Sequence, residues 1–211
     1  PIRVKKMEIP NRIVMPPMGT NLGNPDGTVS EANLAYMKRR ARGGAGLIIT
    51  EISAIHPNGI AIPSELGSYD DRFIPGLKKL ADAIHAHGSK AALQLHHTGR
   101  ESLFLLKAGK AIAPSPIRSL VFGLTPREMT REEIRELIAA FGAAASRAKQ
   151  AGFDAVEVHG AHGYLLTQFL SALSNQRTDE YGGDLSNRSR FIREVLQAVR
   201  RRVGDDFPVS L

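Results

Sequence analysis

The 211-residue sequence contains no cysteine, and this absence removes several kinds of site. Disulfide bonds, thiolate metal centres and thiol nucleophiles are all excluded within these residues. Aromatic residues are also scarce, at 6% of the chain. Because sequence-tolerant binding of single-stranded nucleic acid relies on bases stacking on aromatic rings, this scarcity disfavours such a partner.

Long apolar runs are missing as well. No stretch approaches the roughly 20 apolar residues needed to span a bilayer, and the first residues, PIRVKKMEIP, lack the apolar core of a signal peptide. We therefore expect a cytoplasmic protein with no membrane partner.

The chain is basic, with a formal charge of +7. Its densest basic clusters, Lys38–Arg42 and Arg200–Arg202, fall near the predicted C-terminal ends of surface helices, where cations complement the helix dipole. We interpret them as solvated helix faces rather than a nucleic-acid surface, and the charge would also suit an anionic cofactor or substrate.

The ends of the sequence predict a fragment. The chain begins with Pro1 rather than Met, and it ends at FPVSL, in the middle of a predicted buried strand. An unpaired apolar edge is expected there, so this chain alone should be poorly soluble or should associate with further copies of itself.

Predicted strands and helices alternate without a break, which is typical of a parallel sheet. A long excursion over 98–129 interrupts the third connection and is expected to fold over a site. The predicted strands are 11–18, 45–55, 90–97, 153–160 and 207–211. The predicted helices follow Ser30, span 71–87, follow the capping box formed by Thr130 and Glu133, and span 187–203.

Two α/β folds fit this order. A doubly wound sheet usually carries G-x-G-x-x-G after its first strand, and PPMGTNLGN is no match. A (β/α)₈ TIM barrel instead places polar residues at the C-terminal ends of successive strands, as this chain does. We therefore predict the first five β/α units of such a barrel, with residues 1–211 in a single domain and the remaining strands absent.

The motif HGAHGY follows the fourth predicted strand. If that strand alternates, Glu157 and His159 face the barrel interior, and His162 and Tyr164 follow on the exit loop. These side chains are candidates for a chemical site. The alternatives are a packed turn, or a metal site completed by other histidines, although the spacing does not favour metal.

Gln94 is the second informative residue. Its amide offers donors and an acceptor, which suits a flat heterocycle with alternating C=O and N–H edges; a glutamine bonded to backbone is the alternative. Phe104, Leu120 and Phe122 are candidates to line a substrate pocket, and surface packing explains them equally well. We expect Arg177, Asp179 and Arg188 to form structural ion pairs.

Four stretches together resemble the old yellow enzyme family of flavin-dependent ene-reductases. The resemblance covers almost the whole chain and lies closest to the branch with 2,4-dienoyl-CoA reductase, 2-enoate reductase and bile-acid oxidoreductases. The stretches are NRIVMPPMGT, GLIITEISAI, ALQLHHTGR and GFDAVEVHGAHGYLLTQFLSALSNQRTDEYGGDLSNRSRF.

The resemblance implies an FMN-binding TIM barrel in which NADH or NADPH reduces the flavin and the flavin reduces an activated C=C bond of a small unsaturated carbonyl compound. The implied cofactor-binding residues are Pro17, Met18, Gly19, Ile52 and Gln94. The implied catalytic residues are His159 and His162, which match the pair holding the substrate oxygen, and Tyr164, which matches the proton donor.

Departures from the family pattern limit what is carried over. Gly19 stands where some members have a cysteine or threonine that tunes the flavin, and Ile52 replaces a usual alanine or glycine. A 4Fe-4S cluster and FAD, which larger relatives carry, would lie only in a C-terminal part absent here. A flavin-dependent amine dehydrogenase and an inactive fragment remain alternative functions, and a homo-oligomer is compatible with the sequence.

Overall fold

The computed structural model describes all residues from 1 to 211. The strands are Ile2–Val4 (β1), Met7–Ile9 (β2), Val14–Met15 (β3), Leu47–Ala54 (β4), Leu66–Gly67 (β5), Lys90–His96 (β6), Ile112–Ala113 (β7), Arg127–Glu128 (β8), Ala155–Val158 (β9) and Val209–Ser210 (β10). The α-helices are Glu31–Arg42 (α1), Ile74–His85 (α2), Leu103–Lys107 (α3), Arg131–Gln150 (α4), Leu165–Leu170 (α5), Leu185–Arg188 (α6) and Arg190–Val203 (α7).

Local sequence signals set the helix boundaries where they were predicted. Ser30 caps α1 through the backbone N–H of Asn33, and Thr130 caps α4 through the backbone N–H of Glu133. In both cases the third residue reaches back to the cap, which forms a capping box. The apolar face of the second helix is buried and consists of Phe73, Leu77, Leu80 and Ile84.

Five strands form one parallel sheet in chain order, β3, β4, β6, β9 and β10, and β5 joins the end of β4. The connections between successive members contain α1, α2, α4 and α7 in turn. This arrangement confirms the predicted α/β order. Residues 1–211 include the strand of the fifth β/α unit, which is β10.

The two faces of the sheet bury different sets of residues. One face packs against the helices in a core of 33 buried residues. On the other face, Ile49, Ala92 and Ala155 stand in register across β4, β6 and β9, and Met7 and Ile9 of the β1–β2 hairpin pack on them. The wall of a TIM barrel has this arrangement, with helices on its outer face and packed apolar side chains on its inner face.

Two predicted strands differ from the structure. The strand predicted over 11–18 is reduced to Val14–Met15, and its side chains are not buried, since Ile13 is 65% and Val14 46% exposed. β10 is likewise only partly buried. Both are the end strands of the sheet and pair on one side only, so half of their surroundings remains open.

The capping box of α4 gives a stability prediction. Replacing Thr130 with Ala removes the side-chain acceptor of the Glu133 N–H, so the free energy of unfolding should fall by about 1 kcal/mol. Urea denaturation of the complete gene product measures this. Thr130→Ser, which keeps the hydroxyl, is the control and should stay near the wild type; equal losses in both variants would contradict the capping role.

Candidate active site

A polar layer lies directly above the apolar layer of the inner face. Ile52, Gln94 and Glu157 are register partners across β4, β6 and β9, and a bulge in β4 between Ile49 and Ile52 sets this alignment. The Gln94 Nε2 donates to Glu157 Oε1 at 2.8 Å. Burial raises the pKa of Glu157, and the bond from Gln94 opposes this only in part.

The turn after β9 carries the HGAHGY motif to the carboxyl edge of the sheet. Val156 and Val158 belong to the helix-side core, so Glu157 and His159 face the inner side, as the alternation predicted. The backbone N–H of His159 donates to the Leu95 carbonyl at 3.0 Å and extends the pairing with β6.

The chain reverses tightly within the motif. His162 has φ +57° and Gly163 has φ +77°, which are left-handed conformations. A histidine in this region is uncommon and is strained relative to ordinary backbone. The reversal turns His162 and Tyr164 back towards His159.

Four ring contacts bring the side chains of this region together. The ring centroid of His159 lies 5.2 Å from that of His162 and 5.1 Å from that of Tyr164. His96, at the end of β6, is 5.3 Å from His159 and 4.6 Å from Tyr164. The three residues singled out in the motif therefore lie together, with His96 as a fourth member.

His159 is neutral at physiological pH. Burial, with the nearby His96 and His162, lowers the pKa of His159 from 6.5 to about 4. The backbone N–H of Ala161 points at Nδ1, at 3.4 Å. Since Nδ1 is the acceptor, the single proton of the neutral ring belongs on Nε2, which makes Nε2–H the available donor.

Tyr164 is half-buried beside these imidazoles. Burial raises the pKa of Tyr164, and the carboxylates of Glu65 and Glu101 raise it further. Its hydroxyl has no hydrogen-bond partner within the protein. The phenol therefore keeps its proton at neutral pH and is free to donate it outward.

A pocket of about 410 Å³ opens at this edge of the sheet. Of the predicted cofactor-binding segment, Pro17 lines this pocket, and its chain neighbour Met18 is 61% exposed. The half-buried Ile52 lies next to Gly19, where an added Cβ would be 3.7 Å from the Ile52 Cδ1. Tyr164 adjoins the pocket through its contact with His159. The lining residues are Pro17, Gln94, Glu157, Val158, His159, Gly160, Ala161, His162 and Leu211.

Sequence reasoning missed a buried carboxylate next to this site. Glu65 Oε1 is 3.0 Å from His96 Nδ1, and neither side chain is exposed. Glu65 lies in an irregular segment before β5 that has no periodic signal, and its partner is 31 residues away. No local pattern could have predicted this pair.

A second buried carboxylate is Glu51, in the bulge of β4. It accepts from the backbone N–H and hydroxyl of Thr20, at 2.9 and 2.7 Å, and from Asn33 Nδ2 at 2.6 Å. Burial raises the pKa of Glu51, and the bonds from Thr20 oppose the shift. Glu51 thus fixes the end of the Pro17–Gly19 segment against β4 and α1.

The excursion over 98–129 does not present the predicted pocket-lining residues to the pocket. Phe104 is 40% and Leu120 92% exposed, and Phe122 packs on a small cluster of Leu105, Leu106 and Ala111. The structure therefore supports surface packing as the role of these side chains.

The predicted ion-pair network is partly wrong. Arg177 does pair with Asp179, at 2.6 Å, and also donates to the Pro114 and Met129 carbonyls, which ties the excursion to the loop after α5. Arg188 instead donates to the carbonyls of Leu170 and Gly183. Backbone acceptors lie nearer to its guanidinium than any carboxylate.

No group of three or more His, Asp or Glu side chains has the geometry to hold a metal ion. No helix combines the length and apolar character required to cross a membrane.

The family model of the NADH:flavin oxidoreductase / NADH oxidase family matches residues 1–211. The chain belongs to this family. Among its relatives, the chain is 45% identical to an NADH oxidase of Thermoanaerobacter brockii over 210 residues, and 45% identical to an NADPH dehydrogenase of Clostridium acetobutylicum over 208 residues. Each match covers 99% of this chain.

Solved structures of the flavin oxidoreductase family share the fold. A 2-naphthoyl-CoA reductase in complex with 2-naphthoyl-CoA superposes with a TM-score of 0.94 at 35% identity, and an old yellow enzyme from Pichia sp. with 0.91 at 36% identity. Both matches cover 99% of this chain. The predicted old yellow enzyme resemblance and the partial TIM barrel are confirmed.

The chain spans only part of these proteins. It covers 32% and 61% of the two oxidoreductase relatives, and 34% and 57% of the two solved chains. The fold and the residues above belong to this shared part.

The low proton affinity of His159 gives a titration prediction. Its imidazole signals in an NMR titration of the complete gene product should change with a midpoint near pH 4. Between about pH 6.5 and 4 the unfolded chain binds a proton that the folded chain excludes, so the unfolding free energy should fall as pH decreases through that window. His159→Gln assigns the signals, and a midpoint near 6.5 would contradict burial as the cause.

Proposed function

We propose that this chain forms part of an FMN-dependent ene-reductase that oxidises NADH or NADPH and reduces an activated C=C bond. The observation that supports this most is that His159, His162 and Gln94 line one pocket of a family member, with Tyr164 in ring contact with His159. Residues 1–211 are proposed to belong to one FMN-binding barrel domain.

The residues present fit a flavin. One N–H of the Gln94 amide is taken by Glu157, which leaves the other N–H and the carbonyl oxygen for a ligand in the pocket. A pyrimidine ring, with alternating C=O and N–H groups, needs this combination of donor and acceptor. We assign the Pro17–Gly19 segment and its neighbour Ile52 to the reactive edge of the same ring.

When bound, FMN supplies hydride transfer from the nicotinamide to the β-carbon of the substrate. The protein's part is to hold the acceptor. His159, through Nε2–H, and His162 are proposed to donate to the substrate's carbonyl oxygen. Because negative charge on that oxygen develops as the hydride arrives, these donors stabilise the transition state more than the ground state.

Tyr164 is proposed to give the proton of its hydroxyl to the α-carbon. Its raised pKa keeps the phenol protonated at neutral pH, as a general acid requires. Enones, enoates and dienoyl thioesters all offer a C=C bond conjugated to an oxygen that the two imidazoles can bind. The thioester in the superposed 2-naphthoyl-CoA reductase complex supports including that class.

The visible spectrum of the complete gene product tests the proposed function. Purified without oxygen, it should be yellow, bleach with NADH or NADPH, and regain its colour with an unsaturated carbonyl compound. Amines run in parallel, since flavin reduction by amines with no response to enones would favour an amine dehydrogenase. A colourless protein that takes up no added FMN would contradict the proposal.

The role of Tyr164 has its own test. Tyr164→Phe should lower the rate of flavin reoxidation by an enone by about 10²- to 10⁴-fold, because the general acid is lost. Reduction by NAD(P)H should be unchanged, since no proton from Tyr164 enters that step. Tyr36→Phe on α1, where Tyr36 stacks under Arg40, is the matched control. Equal losses in both half-reactions would argue against the role.

A further inference from the structure

The Glu65–His96 pair sits directly behind the proposed catalytic residues. The Glu65 carboxylate is held at both oxygens: Oε2 accepts from the Ala61 backbone N–H at 2.6 Å, and Oε1 lies 3.0 Å from His96 Nδ1. Both side chains are fully buried. The His96 ring is therefore fixed at its Nδ1 edge by a carboxylate that is itself fixed by the backbone.

The opposite edge of the His96 ring has no polar partner. His96 Nε2 is buried and makes no hydrogen bond. A fully buried histidine–carboxylate pair with one unsatisfied ring nitrogen contributes little to stability, because the free energy lost when its polar atoms leave water opposes the gain from the contact between them. The pair therefore needs an explanation other than stability.

The His96 ring contacts both proposed catalytic side chains. It meets the Tyr164 ring edge to face, with centroids 4.6 Å apart and an 88° interplanar angle, and lies 5.3 Å from His159. The Tyr164 hydroxyl has no hydrogen bond, and His159 has only the 3.4 Å contact from the Ala161 N–H. The His96 ring, held by Glu65, thus packs against both of these rings.

We propose that Glu65 and His96 are a positioning pair for Tyr164 and His159. The carboxylate locks the orientation of the His96 ring, and that ring holds the phenol and the imidazole in their working orientation. The inference rests on the proposed function for its catalytic meaning, and goes beyond it by giving two further residues a role.

The charge of Glu65 adds a second effect on Tyr164. The titratable groups facing the phenol are His96 on β6, His159 after β9, Glu65 before β5 and Glu101 in the 98–129 excursion; the exposed His162 contacts His159. After burial, Glu65 is the largest cause that raises the pKa of Tyr164. The Glu65 carboxylate therefore acts on the phenol through its charge as well as through the His96 ring.

Two variants separate orientation from charge. Glu65→Gln keeps the shape and removes the negative charge. The double variant Glu65→Leu with His96→Phe replaces both partners by apolar groups of similar size, which avoids leaving one buried partner unpaired. The control is His85→Gln, which breaks another histidine–carboxylate contact, His85 with Asp154 at 2.6 Å, away from the pocket.

The double variant should reoxidise its flavin with an enone about 10- to 100-fold more slowly than the wild type, because small misplacements of catalytic groups have effects of this order. Bleaching by NAD(P)H should stay at the wild-type rate, and His85→Gln should match the wild type in both steps. Wild-type reoxidation in the double variant overturns the proposal. An equal loss in both half-reactions also overturns it, because the pair would then be merely structural.

Titration of the Tyr164 phenol gives a readout that does not depend on turnover. Followed by tyrosine ring NMR and assigned with Tyr164→Phe, the phenol should ionise at lower pH in Glu65→Gln than in the wild type, because a nearby negative charge disfavours the phenolate. An unmoved or raised midpoint contradicts the pairing. If the wild-type protein reduces no enone, the proposed function fails, and this titration still decides whether Glu65 and His96 act on Tyr164.

Discussion

The parallel register of β4, β6 and β9 is the constraint on which the site depends. Because side chains alternate along a strand, the register places Ile49, Ala92 and Ala155 together in an apolar layer on the inner face. It also places Gln94 and Glu157 side by side at the next inward-facing positions. A slip of one residue in any strand would move the polar layer to the helix side. The same pairing that buries the core therefore brings the amide, the carboxylate and the histidine turn to one edge.

Burial shifts the pKa values of three site residues so that each favours its uncharged form. Burial lowers the pKa of His159 and raises those of Tyr164 and Glu157. Each shift favours the uncharged form, since a low-dielectric environment penalises charge. The imidazole and the phenol are thereby kept as neutral donors. Neutral donors suit a reaction in which negative charge appears only in the transition state, because they stabilise it without binding an anion beforehand.

Features set by residues close in sequence could be predicted, and features set by distant contacts could not. The cap at Thr130 and the inward turn of His159 follow from spacing and alternation, and both are present. The 11–18 segment is exposed because β3 pairs on one side only within residues 1–211. No pattern within the segment could predict this. Arg188 bonds carbonyls because the turn brings them nearer than a carboxylate. Glu65 meets His96 only through the fold.

The pairs that carboxylates form in this chain differ in how deeply they are buried. Lys78–Asp82 on the surface of α2 contributes at most about 1 kcal/mol, since solvent screens it. Glu65–His96 has no exposure, and at that depth apolar residues of the same size are often neutral or more stabilising by about 1–4 kcal/mol. Packing alone would therefore not favour a carboxylate and an imidazole at these positions. What an apolar pair cannot provide is a ring whose Nδ1 edge is held by a carboxylate, together with a negative charge that disfavours ionisation of the Tyr164 phenol.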